Sequence, residues 1–408
     1  MKIAITSDYH LGYNDDALPQ VKMILEKATR VADVVLAAGD LFDVRVPKQE
    51  IVNEAMKLFK THSEQMAAKH SDVKISKEEK TIESGNPVIA IPGTHERRTK
   101  GLVNVVEMLN SAGVLVNCHN KHIVLEKNGE KVSILGMAGV PEEYTVQVMQ
   151  AAQFKPLENY FNIFMFHQNL KEVIPVADGP SLADLPPGFD LYVNGHIHWR
   201  REIKNGEKTV LIPGSAVITQ MRKNEMEKKG FWLYDTLTAS YEFIYIASRP
   251  FIYSEVYVEN ANSEKISGEV TKAVSEAVAG ATLNAVDPLG RKPLVKIKLT
   301  GSLANGLNSS SIDSTLLASS FANAEVYIDK EFEIAAGLKE KIELLRKLKT
   351  EEKSVSELGI TLLKDKLKRS GFNLEKEEEL FSLLSEGEID KAINLVKNSK
   401  VAVVYSNP

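Results

Sequence analysis

In the first 198 residues, five short β-type runs each end in an aspartate or a histidine. Lys2–Thr6 leads into Ser7-Asp8-Tyr9-His10, and Val34–Ala38 into Gly39-Asp40-Leu41-Phe42-Asp43. Val88–Ile91 leads into Gly93-Thr94-His95-Glu96, Asn162–Phe166 into His167, and Asp190–Val193 into Asn194-Gly195-His196-Ile197-His198. Tips of neighbouring strands meet at one end of a sheet, where open α/β folds place their sites. A chain built this way is constrained to gather those carboxylates and imidazoles in one place. The last pair alone reads equally well as two exposed loop histidines, because a short motif is only a hypothesis. Alternation with period two does, however, put both rings on one side of an extended backbone. Five pieces in this order make coincidence a poor account.

The rest of the chain supports that frame. Further Val-, Ile-, Phe- and Tyr-rich runs at His122–Leu125, Val132–Met137, Thr209–Ile212, Phe231–Tyr234 and Tyr241–Ile246 read as strands. Helical spacing falls at Leu18–Val31, Lys48–Lys69 and Gly101–Ala112, whereas polar Ser71–Asn86 reads as an exposed loop. The expected fold is α/β: a two-layered mixed β-sheet domain flanked by helices, with a small α+β cap and a helical C-terminal segment. At 408 residues, more than one domain is expected. A break near Ser248-Arg249-Pro250 separates residues 1–247 from a β-α-β-α-β unit over 248–334. From there, 335–408 is charged, helical and thin, with too little apolar surface for a core of its own. The helix from Lys48 has a broad apolar face (Ile51, Val52, Ala55, Met56, Leu58, Phe59), suited to its own sheet or to a second copy.

The ligand chemistry is mixed carboxylate and imidazole. One cysteine, Cys118, rules out an internal disulfide and any multi-thiolate zinc site and fits a reducing cytosol. No stretch approaches the ~20 apolar residues of a membrane span, and Met1-Lys2 runs straight into a strand without a leader pattern, so a cytoplasmic protein is expected. A net charge of −5 does not advertise nucleic-acid binding, though a local basic patch would suffice for it. Mn, Fe or Zn suits the donors better than Mg or Ca. Six or seven ligands exceed what one zinc needs, whereas two ions about 3.5–4 Å apart use them naturally. The arithmetic gives Asp8, His10 and His198 to one ion and His167 and His196 to the other, with Asp40 between them. Such a pair clamps a phosphate for in-line hydrolysis, and His95 beside it can stabilise charge or protonate the leaving oxygen. The remaining histidines, His62, His70, His119 and His122, read as ordinary surface residues.

These motifs together resemble the calcineurin-like metallophosphoesterase superfamily. Gly39-Asp40-Leu41-Phe42-Asp43, Phe166-His167-Gln168 and Pro213-Gly214-Ser215 resemble, more narrowly, the double-strand-break repair nucleases of the Mre11/SbcD family. The resemblance implies a homodimer with two Mn ions that degrades DNA as a 3′→5′ double-strand exonuclease and a single-strand endonuclease. It also implies a DNA-binding cap, and a C-terminal segment that grips a coiled-coil ABC-type ATPase. Under it, the helix from Lys48 and Gly101–Ala112 become a dimer bundle, and the site works in the cytoplasm, at the nucleoid when DNA is bound.

Two positions depart from the family pattern. Thr94 stands where Asn usually supplies a metal ligand, so its shorter hydroxyl is a weaker donor to the second ion. Asp43 stands where some members have a His tied to the exonuclease reaction; here it can orient His95 or a ligand histidine, or cap its turn. For DNA, Arg97, Arg98 and Lys100 follow His95, Arg200 and Arg201 follow His198, and Arg222 and Lys223 come later. Each can hold a phosphate or simply be solvated. A metallophosphoesterase acting on small molecules or phosphoproteins shares the site but needs neither cap nor tail.

Overall fold

The structure is a computed structural model that describes residues 1–78, 80–82, 85–99, 101–206, 208–284, 287–304 and 306–332. Beyond these it describes 360, 363–364, 366–367, 372–373, 376–385, 388–398 and 402–403. It divides into two compact units, Met1–Glu331 and Phe332–Pro408.

In chain order, the first unit holds β1 (Lys2–Thr6), α1 (Ala17–Val31), β2 (Val34–Ala37), α2 (Gln49–Lys69), β3 (Lys74–Lys77), β4 (Lys80–Thr81), β5 (Ile89–Ala90), α3 (Val105–Ser111) and β6 (Val116–Asn117). There follow β7 (His122–Lys127), β8 (Glu130–Met137), α4 (Thr145–Ala152), β9 (Phe161–His167), β10 (Leu191–Gly195), β11 (Arg201–Asn205), β12 (Lys208–Ile212), β13 (Gly230–Asp235) and β14 (Ser240–Tyr245). One six-stranded sheet runs β14-β13-β1-β2-β5-β6, and an eight-stranded sheet runs β11-β12-β10-β9-β8-β7-β3-β4. Strands β1, β2, β5 and β6 are parallel, as are β8, β9, β10 and β12; antiparallel neighbours flank both sets.

Alternation along the strands makes the layers. Ile3, Ile5, Val34 and Leu36 face Ile163, Met165, Val193 and Leu211 in a core between the two sheets. Ala4, Val35 and Ala37 point outward to α1, α2 and α3 through Val21, Ile24, Leu25, Phe59 and Leu109. On the far side Phe164, Phe166, Tyr192 and Val210 pack under α4 and the loop carrying Leu182 and Leu185. Each buried Val, Leu, Ile, Phe or Met among them contributes about 1.5–3 kcal/mol. The mixed, two-layered α/β architecture read from the sequence is the one observed, and all parallel strands point their C-terminal ends to one edge.

Differences from the sequence reading are local. Ser71–Asn86 is not a plain loop: β3 joins β7 in antiparallel register and buries Ile75 against that edge. Val73 and Ile82 pack partly against the same core, but these few apolar residues among charged neighbours are too sparse for a period to register. Helix α3 starts only at Val105, because the Asn104 side chain accepts the Glu107 N–H and caps it there. His62 is not a surface residue: α2 turns it inward, 3% exposed, with Nδ1 3.0 Å from the Thr29 hydroxyl. His70 lies 3.1 Å from Asp33, His119 accepts the Ala138 N–H, and His122 contacts the Ser133 hydroxyl.

Strands β15 (Phe251–Ala261), β16 (Leu294–Leu303) and β17 (Glu325–Phe332) form a third sheet in that order, with α5 (Ser263–Asn284) and α6 (Ser314–Ser319) between them in the chain. β15 and β16 are parallel, as a strand-helix-strand crossover requires. Arg249 and Arg291 both reach Asp16 at the start of α1, at 3.1 and 3.2 Å, and tie this sheet to the larger one. In the second unit, β18 (Phe372–Asn373) pairs with β19 (Ala402–Val403). Helices α7 (Glu377–Ser385) and α8 (Ile389–Asn398) bury Leu380 and Ala392 together. The helix read at Leu338–Lys349 and most of that at Ser354–Arg369 lie outside the described residues. Among the described residues, no helix is long and apolar enough to cross a membrane.

Candidate metal centre

His167 is the last residue of β9, and the other ligand residues sit on turns just past strand ends that are shaped for them. Asp8, His10, Asp40 and His196 all have positive φ, at 53°, 47°, 49° and 71°. For residues other than glycine, such backbone costs on the order of 1–3 kcal/mol each and persists only where surrounding structure imposes it. Here the turns are cross-tied: Asp8 N–H donates to Gly39 O, His10 N–H to Asp40 O, and Ala216 N–H to Asp8 O. Two glycines give the room. A Cβ at Gly93 would collide with Asp40, and one at Gly195 with the Ala38 carbonyl.

Among the described residues three groups of possible ligands result: two mostly buried ones, and a more open one of His10, Asp43 and His95 that shares His10 with the first. Asp8, His10 and His198 present donor atoms within 4.8 Å of one another, and so do Asp40, His167 and His196. In the first group, Nε2 of His198 lies 3.6 Å from Asp8 Oδ1 and 3.3 Å from His10 Nε2. In the second, His167 Nε2 lies 3.0 Å from Asp40 Oδ2. His167 Nε2 has the Asp40 carboxylate as its partner, whereas Asp8 Oδ1 and His196 Nδ1 are buried without hydrogen-bond partners. Buried polar atoms are rarely left so unless water or an ion completes them. The donors thus fit a binuclear centre.

The outer nitrogens are held from behind. His10 Nδ1 is 3.1 Å from Asp43, His167 Nδ1 is 2.7 Å from the Ala38 carbonyl, and His198 Nδ1 meets the Thr219 hydroxyl at 2.5 Å. Thr219 in turn donates to Glu225, a buried carboxylate that faces buried Lys229 at 3.9 Å. The Lys229 ammonium donates to Ser215 Oγ and to His198 O. Thr94 Oγ1 donates to Asp40 Oδ2 at 3.3 Å, which places the hydroxyl beside the second group. His95 is the most open member, its side chain 41% exposed, with Nε2 4.0 Å from Asp40 Oδ2. Its Nδ1–H is taken by the Asp43 carbonyl. Asp43 therefore contacts both His10 and His95.

Burial sets the protonation states. It pushes His198 down to about 2, helped by His10 and Lys229, and His196 down to about 3, helped by His167. Both are neutral and able to ligate. Burial also opposes charge on Asp40 and His167, but their mutual attraction outweighs it. Asp40 is held well below the usual carboxylate range and His167 is pushed up to about 10. Burial, with Asp40 nearby, pushes Glu96 up to about 8, where it accepts the N–H groups of Phe42 and Gly93 and braces two ligand turns.

The basic residues are less concentrated. Arg97 and Arg98 follow His95 and are half-buried, and Lys100 lies outside the described residues. Arg200 is committed to aromatic faces, 4.8 Å from the Phe243 ring centre and 2.8 Å from the Tyr245 hydroxyl. Arg201 pairs with Glu227 at 3.2 Å. Arg222 is exposed, and Lys223 is 3.7 Å from Glu255. Glu142, 3.3 Å from His196 Nε2, and the Thr219–Glu225–Lys229 chain escaped the sequence reading. Nothing in their local spacing marks them, since they meet the histidines only through the fold.

Residues 1–200 match the calcineurin-like phosphoesterase family. The double-strand break repair protein MRE11 of Encephalitozoon cuniculi is 28% identical over 301 residues, which cover 66% of this chain and 52% of that protein. The DNA double-strand break repair protein Mre11 of Saccharolobus solfataricus is 28% identical over 258 residues, covering 58% and 60%. The chain thus spans little more than half the length of these two relatives. The Mre11 of Sulfolobus acidocaldarius is 25% identical over 428 residues, covering 97% of this chain and 98% of that one.

Proposed function

The chain carries a calcineurin-like metallophosphoesterase domain homologous to the Mre11/SbcD nucleases, and from that premise we propose that it is a binuclear, Mn-dependent DNA nuclease of double-strand-break repair. The observation that carries the reading is the pair of three-donor groups with unpartnered buried atoms at one edge of the sheets. Asp8, His10 and His198 would hold one ion; His167, His196 and the Thr94 hydroxyl the other; Asp40 would bridge them. When bound, the ion pair supplies Lewis-acid stabilisation of the charge that develops on a phosphodiester during in-line displacement.

The chain's own part is positioning and proton transfer. His95 is anchored by its Nδ1–H on the Asp43 carbonyl, so in the protonated imidazole Nε2–H faces substrate and hands its proton to the leaving oxygen, leaving the neutral ring. Asp43, with a contact to His10 and another to His95, keeps the proton donor in register with the first ion's ligand. Arg97 and Arg98, which follow His95, and Arg200 and Arg201, which follow His198, would hold backbone phosphates. Specificity for particular bases is not expected from such contacts.

In this reading residues 1–247 cut DNA as a 3′→5′ double-strand exonuclease and a single-strand endonuclease, 248–334 bind it, and 335–408 seat a coiled-coil ABC-type ATPase. The protein works in the cytoplasm at the nucleoid. Exposed Val46 and Val103 beside α2 and α3 favour a homodimer through those helices. The test is Mn-dependent degradation of end-labelled DNA set against turnover of small phosphodiesters. Cleavage of only the latter would leave a small-molecule phosphodiesterase. Co-purification with the ATPase is expected to disappear when residues beyond 335 are removed.

A further inference from the structure

Glu142 lies outside every motif discussed above. It begins the 3-10 turn Glu142–Tyr144 between β8 and α4, and its Oε1 is 3.3 Å from Nε2 of His196. Asn169 N–H reaches the same oxygen at 3.5 Å, while Oε2 is buried without a partner. A partly exposed contact between a carboxylate and an imidazole would ordinarily contribute little. What singles this one out is the other side of the ring. His196 Nδ1 is buried, has no hydrogen-bond partner, and the residue groups with Asp40 and His167. The backbone of His196 is fixed as well, with φ at 71° and its N–H on Asp8 Oδ2 at 3.1 Å.

A neutral imidazole has one N–H and one lone pair. A carboxylate can only accept, so Glu142 selects the tautomer with hydrogen on Nε2 and leaves the lone pair on Nδ1. The other three histidines use their rings the opposite way. Asp43, the Ala38 carbonyl and Thr219 take the Nδ1 side of His10, His167 and His198, which leaves Nε2 for the centre. We propose that Glu142 is the positioning residue of His196, fixing its tautomer and ring so that Nδ1 serves the second metal ion. The inference rests on the two-ion reading above. A carboxylate behind a ligating imidazole also raises its basicity, and losing such a partner commonly costs 10–100-fold in metal affinity. The second ion is the more exposed to that loss, because Thr94 offers it only a hydroxyl.

The test uses the full chain as wild type, Glu142→Ala and Glu142→Gln. Calorimetric titration with Mn is expected to show two ions in the wild type. In Glu142→Ala the weaker step is expected to fall about 10–100-fold while the tighter one holds. Glu142→Gln keeps an accepting oxygen and is expected to recover most of the loss. With Zn in place of Mn, nitrogen NMR of the wild type is expected to show His196 protonated at Nε2, and that signature is expected to weaken in Glu142→Ala. Unchanged affinities and an unchanged ring signal in Glu142→Ala would overturn the inference. So would an equal fall in both steps with a lowered melting temperature, since that is a general structural role. A wild type that binds fewer than two ions would overturn the two-ion reading itself.

Discussion

His167 Nε2 lies 3.0 Å from Asp40 Oδ2, and both side chains are wholly out of water. Without an ion they hold each other as a charged pair, with His167 pushed up to about 10 and Asp40 held low. An incoming ion has to displace that proton, because only neutral imidazole ligates. Mn affinity is therefore expected to rise about tenfold per pH unit between pH 6 and 8. Calorimetry in buffers of different ionisation enthalpy is expected to register release of about one proton. Binding that is independent of pH and buffer would show that His167 is not the ligand.

His95→Ala removes the proton donor but none of the six residues in the two mostly buried ligand groups. Cleavage of DNA is expected to fall by about 10²–10⁴-fold, while Mn binding by calorimetry stays near wild type. Cleavage retained at wild-type rate would end the assigned role.

Thr94→Asn replaces a hydroxyl beside Asp40 Oδ2 with a longer amide oxygen. Mn affinity at the weaker site is expected to hold or rise. A clear calorimetric loss would mean that the Thr94–Asp40 hydrogen bond of 3.3 Å matters more than ligand reach.

His62 gives a stability test remote from the centre. Burial pushes it down to about 4, and it is 3% exposed. The unfolded chain takes a proton near pH 6.5, the folded one only near 4, so stability is complete above the first value and is lost as pH falls toward the second. The most this can remove is ~3 kcal/mol. Urea unfolding at pH 7 and pH 5 is expected to show the loss in wild type and a smaller one in His62→Phe.

The strand tips were legible because one principle covers them all: an apolar run that ends in Asp or His delivers that residue to the sheet's edge. Asp8, His10, Asp40, His167, His196 and His198 come together for that reason, and the layers follow from alternation such as Ile3-Ala4-Ile5. What escaped reading depends on distance through the fold. Glu142 and Glu225 approach histidines 54 and 27 residues away in the chain, counting from His196 and His198, and their neighbours in sequence carry no trace of it. His62 was misread because a histidine on a broad apolar helix looks the same whether it faces a sheet or water. Only packing against Thr29 of α1 decides it.

Ligand turns bent to positive φ have a cost that the folded protein carries at all times, with or without an ion. His196→Gly would give up a ligand and at the same time release a backbone, φ 71°, that glycine adopts freely. The metal-free variant could then melt at a higher temperature than the metal-free wild type. The same residue would be indispensable to chemistry and a burden to the fold, a trade that selection for stability alone would reverse.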